Sequence, residues 1–69
     1  MILTVAFANP RACNIFGFRE RMRIESERND KGILYVRSPK TGAAMRVKEN
    51  GGSMFIRYMS GQDLVTFTK

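Results

Sequence analysis

The chain has 69 residues, 43% of them hydrophobic, an ordinary globular share that excludes disorder and collagen-like repeats. Twelve Lys and Arg against six Asp and Glu give a net charge of +6 and a pI near 10.3, a field that favours nucleic acid, acidic proteins or anionic lipid. One cysteine and no histidine exclude an intrachain disulfide, the usual catalytic triads and nearly every closed zinc site.

Residues 1–69 are expected to form one small basic domain, and a chain of this length buries only roughly 60% of its unfolded surface. Residues 1–8 (MILTVAFA) place Leu3, Val5 and Phe7 on one side and Ile2, Thr4, Ala6 and Ala8 on the other, the period of a strand. The closing Ala-Phe-Ala mimics a signal-peptidase site, but there is no basic stretch before it, and a signal peptide needs roughly 15–30 residues. Asn9, Pro10 and Gly17 supply an N-cap, a first-position proline and a terminating glycine. Residues 11–16 are therefore expected to form a short helix, or one or two turns, that buries Ile15, with Cys13 and Ala12. Cys13 is expected to be a small core residue, since no base stands by to activate it.

Residues 18–27 (FRERMRIESE) admit two conformations. A strand puts Phe18, Met22 and Ile24 on one face and Arg19, Arg21, Arg23 and Glu25 on the other. A helix aligns Phe18 with Met22 but leaves Ile24 off the stripe, although Arg, Glu and Met favour helix. The strand is preferred because Asn29-Asp30-Lys31-Gly32 makes a turn into a β-rich run. Four short runs follow, over residues 33–37 (ILYVR), 44–49 (AMRVKE), 54–59 (MFIRYM) and 64–68 (LVTFT). Turn residues separate them, among them Asn50-Gly51, the strongest short-range hairpin signal. The expected fold class is α+β, mostly β: a small antiparallel meander or partly closed barrel of five to six strands with one short N-terminal helix. No apolar run approaches the ~20 residues of a membrane helix, and the single cysteine suits a reducing, cytoplasmic compartment.

Alternation then assigns a candidate site. The expected core holds Leu3, Val5, Phe7, Ile15, Phe18, Met22, Ile24, Leu34, Val36, Met45, Val47, Met54, Ile56, Val65 and Phe67. Arg19, Arg21, Arg23, Tyr35, Arg37, Arg46, Lys48, Phe55 and Arg57 fall on the opposite face, with Met59 beside them. That face holds seven of the twelve bases. Alternate strand positions lie ~6.6 Å apart, close to the ~6.8 Å rise of two phosphates on one DNA strand. Tyr35 and Phe55 are placed to stack bases. The plainer alternative is a solvated sheet face on which Glu20, Glu25 and Glu27 neutralise neighbouring arginines.

Phe55 and Met59 flank Arg57 and imply a protein interface, a homodimer, or a closed barrel that covers both sides of that strand. Pro39-Lys40-Thr41-Gly42 lacks the spacing of a phosphate-binding loop and is explained by a tight turn, as is Gly51-Gly52. Catalysis by Tyr35, Glu20 and the arginine row would need a mutual geometry that nothing in the pattern fixes. The expected function is a non-catalytic nucleic-acid-binding module without metal or cofactor. The alternative is a small inhibitor or adaptor, phage- or plasmid-like, that docks on an acidic surface of a host protein, with Phe55 and Met59 as anchors.

Overall fold

A computed structural model describes residues 1–57 and 61–69. Among these residues the chain forms seven strands: β1 (Ile2–Ala8), β2 (Arg23–Arg28), β3 (Leu34–Arg37), β4 (Ala44–Arg46), β5 (Lys48–Asn50), β6 (Ser53–Arg57) and β7 (Asp63–Thr68). All pairings are antiparallel, in the order β4-β3-β2-β1-β7-β6-β5. The two outer members, β4 and β5, are consecutive in the chain and separated by Val47 alone. Val47 is buried and donates its N–H to the Leu34 carbonyl. The run 44–50 is thus one bent strand that pairs first with β3 and then with β6, which nearly closes the sheet into a barrel.

The count of seven, against an expected five to six, comes from that bend. A strand that must leave one neighbour and join another cannot keep its ladder unbroken at the corner. The described part of β6 ends at Arg57; Tyr58 and Met59, expected in that strand, lie outside the described residues.

Inward-facing side chains fill the barrel, with Leu3, Val5, Leu34, Val36, Ile56 and Val65 at or near zero exposure. Two expected core residues are not in it. Phe7 is 44% and Ile15 48% exposed. In β1 the register against β7 shifts between Val5 and Phe7, so Ala6 is an extra residue and Phe7 is turned outward. The matching irregularity between β6 and β7 leaves both Leu64 and Val65 buried, which strict alternation forbids.

The segment between β1 and β2 closes one end of the barrel. The short helix, or one or two turns, expected over residues 11–16 is a single wide π turn over Ala12–Phe16. Asn9 holds the turn by accepting from Ala12 N–H at 2.8 Å through Oδ1, and its Nδ2 donates to the Asp63 carbonyl at 3.2 Å. Ala12 and Phe18 are fully buried, and Phe18 meets Phe67 edge to face at 6.2 Å. The loop after β3 is tied to this plug. The buried Ser38 hydroxyl donates to the Phe16 carbonyl at 2.7 Å, and Lys40 donates to that same carbonyl through its N–H.

The strand expected to start at residue 18 starts at Arg23. Residues 19–22 form a turn, with Met22 N–H donating to the Arg19 carbonyl and Arg21 at a φ of 71°. No helix among the described residues is long and apolar enough to cross a membrane.

Candidate nucleic-acid interface

The turn over residues 19–22 dissolves the arginine row. Arg19 and Arg21 sit in that turn, and only Arg23 lies on a strand, opposite Thr4 of β1. On the outer face of β2 the next positions are Glu25 and Glu27, both exposed. Glu25 binds the N-terminal ammonium at 2.8 Å, and Glu27 accepts a 2.5 Å hydrogen bond from the Tyr35 hydroxyl. A cationic stripe on β2 is thus reduced to one residue followed by two acids.

The other six candidates are brought together. Directly opposed residues of an antiparallel pair share a face, and the register pairs Tyr35 with Arg46 and Lys48 with Phe55. Because Arg46 and Lys48 flank the inward Val47 on one bent strand, they project outward side by side, with an aromatic residue on each flank. Arg37 lies two residues along β3 from Tyr35, and Arg57 two residues along β6 from Phe55.

These six are not equally available. The Arg57 guanidinium lies 4.4 Å from the Phe55 ring centroid while its Nε donates to Asp63 Oδ1 at 2.8 Å. Phe55 is only 9% exposed, so Arg57 presents the stacking surface there and Phe55 supports it. Arg37 donates to the Gly42 carbonyl at 3.2 Å and stands 5.9 Å from the Tyr35 centroid. The Arg46 and Lys48 side chains make no ion pair or hydrogen bond with the described residues.

The Tyr35 hydrogen bond to Glu27 raises the phenol above its ordinary pKa; burial and the Glu27 charge act the same way, and Arg37 opposes them. The phenol is therefore protonated at neutral pH, with its hydrogen committed to Glu27. Glu20, the acid considered for a catalytic pair with Tyr35, stands in the 19–22 turn instead. Met59, considered as an interface anchor, lies outside the described residues.

Two grooves open on this surface and share Ile33 and Arg46. One, of about 360 Å³, runs past Asn29, Tyr35, Arg37 and Ala44. The other, of about 400 Å³, continues past Val47, Lys48 and Phe55. Sequence reasoning missed Asn29, Ile33 and Ala44 as groove residues. The turn signal at Asn29 was visible, but its position beside Tyr35 depends on the β2–β3 register. Among the described residues no group of three Cys, Asp or Glu is placed to hold a metal ion.

No protein-family model matches this chain, and no curated protein or solved structure matches it significantly.

Proposed function

We propose that this protein is a non-catalytic nucleic-acid-binding module that engages a phosphate backbone with Arg46 and Lys48. The observation that carries this reading is their arrangement: two cations with no side-chain partner among the described residues project from one bent strand between Tyr35 and the Phe55–Arg57 stack, over two grooves that share Ile33 and Arg46. On a straight strand alternate residues stand ~6.6 Å apart, close to the ~6.8 Å axial rise across two nucleotide steps of one DNA strand. Arg37 adds a third cation at one end. Arg19, Arg21 and Arg23 are set apart by the acids of β2 and contribute to the long-range field more than to contact.

Fluorescence-anisotropy titration of labelled oligonucleotides at 50 and 200 mM salt tests this reading. Affinity should fall with salt by about 0.7–0.9 logarithmic units per phosphate neutralised for each decade of salt. The double variant Arg46→Ala/Lys48→Ala should bind more weakly and lose about two phosphates' worth of that slope. Absence of binding at 50 mM salt would overturn the reading.

Ile2, Phe7 and Ile15, each close to half exposed, favour a second reading, docking on an acidic protein surface. A polyglutamate chain that binds as tightly as an oligonucleotide of equal charge would support it over the first.

A further inference from the structure

The nucleic-acid reading leaves open what form of nucleic acid the surface takes, and the walls of the Tyr35 groove bear on that. Tyr35 borders two grooves of opposite character. The one toward β2 has Glu25 and Glu27 in its lining with Arg37. The one toward β4 has Arg37 and Arg46 in its lining and no carboxylate. A polyanion is repelled from the first and drawn to the second.

The ring between them is held in place before any ligand arrives. Its hydroxyl is bonded to Glu27 Oε2, and the Arg37 guanidinium stands over it at 5.9 Å. On the β4 side the side chain opposite Arg37 is Ala44, whose small size leaves the groove open, and Ile33 supplies an apolar wall. Its volume of about 360 Å³ lies at the small end of ligand sites, which span roughly 300–1,000 Å³.

Asn29 completes the set. Its Oδ1 accepts N–H bonds from Lys31 at 2.9 Å and Ile33 at 3.0 Å. Two backbone donors fix which end of the amide is oxygen. The Nδ2 group has no partner among the described residues, so a donor of settled orientation remains at the rim of the groove.

We infer that this groove seats one unpaired nucleobase, its face against Tyr35 and its edge toward Asn29 Nδ2, with Arg46 on the adjoining phosphate. This rests on the nucleic-acid reading above and narrows it to single strands. A base inside a duplex keeps both faces in its own stack and cannot offer one to a side chain. Every base has a ring face and an acceptor for one N–H donor, so the seat tolerates any sequence.

Titration of labelled dT12 and of the dA12·dT12 duplex at 50 mM salt tests the seat, with variants that leave every cation in place. Tyr35→Ala should weaken dT12 binding about ten-fold or more and leave duplex binding unchanged, whereas Tyr35→Phe should retain most of the dT12 affinity. Ala44→Leu, which fills the groove without removing the ring, should also weaken dT12 selectively. Matching circular dichroism and urea midpoints would establish that the variants fold.

Equal loss for both nucleic acids in Tyr35→Ala, or no loss in either Tyr35→Ala or Ala44→Leu, overturns the seat. If Arg46→Ala/Lys48→Ala still weakens binding in that case, the nucleic-acid reading stands without it. If neither dT12 nor the duplex binds the unaltered protein, both fall together.

Discussion

The two ends of the barrel are closed by opposite chemistry. At one end the segment between β1 and β2 inserts Ala12 and Phe18 into the core, both fully buried, with Phe18 edge-on to Phe67. At the other end Arg28 of β2 pairs with Glu49 of β5 through two contacts of 2.9 and 3.2 Å, and Arg28 also donates to the Gly32 carbonyl. Both partners occupy inward register positions, opposite Leu34 and Met54, so their charged groups meet over the core. Lys69 and Met1 line the same recess. A small barrel must keep water off both ends, and the comparison teaches where its stability resides. The plug removes apolar surface from water, whereas an exposed ion pair is held in high dielectric and contributes little.

The largest expected effect is therefore at the plug. Phe18→Ala should cost about 3–5 kcal/mol, which for a domain of this size approaches the whole stability. Urea unfolding followed by circular dichroism measures it. A loss under about 1 kcal/mol would show that residues 9–22 merely lie over the barrel. The next effect separates two contributions within the plug. Gly17 has a φ of 79°, and a Cβ there would stand 3.0 Å from Lys40 Cβ and 3.2 Å from Lys40 N. Gly32 has a φ of 78° with nothing within 4 Å of the same added atom. Both alanine variants should lose roughly 1–2 kcal/mol to the left-handed backbone. Gly17→Ala should lose more, because the backbone of residue 40 is bonded to Phe16 and cannot retreat. Equal losses would mean the plug and the 38–42 loop move apart freely.

How much of this was legible in the sequence follows the same division. The strands between hairpin turns are readable from alternation, and with them the outward register of Tyr35, Arg37, Arg46, Lys48 and Arg57; Phe55 shares that side but is buried beneath Arg57. The bend at Val47 is not readable, because closure depends on which strands β4 and β5 each find, and no local pattern states that. The plug departs from the local pattern for a different reason. Alternation assumes one residue per pleat, and the bulge at Ala6 and the left-handed Arg21 each break that count. Strict alternation sends Phe7 inward and aligns Arg19 and Arg21 with Arg23, both overturned by the structure, while Phe18 and Met22 lie on the core side where alternation puts them.

The smallest effect belongs to the ionic end, and its sign with pH distinguishes it from the plug. The Arg28 hydrogen bond lowers the Glu49 pKa; burial opposes this, while the charges of Arg28 and Lys69 reinforce it. A carboxyl group depressed in the folded state adds stability above its unfolded pKa and loses it as pH falls through the folded one. Arg28 is raised by the same partner and stays charged throughout, so Glu49 alone sets the window. Glu49→Gln should lower the urea midpoint slightly at pH 7 and low salt. The gap to the unaltered protein should narrow below roughly pH 4.3, the ordinary glutamate value, and also in 1 M salt, where the Debye length is about 3 Å. Phe18→Ala should show neither trend, since desolvation of an aromatic ring carries no proton. A Glu49→Gln gap that is independent of both pH and salt would mean that this end is closed by packing of the Arg28 stem, and the contrast between the two ends would reduce to one of degree.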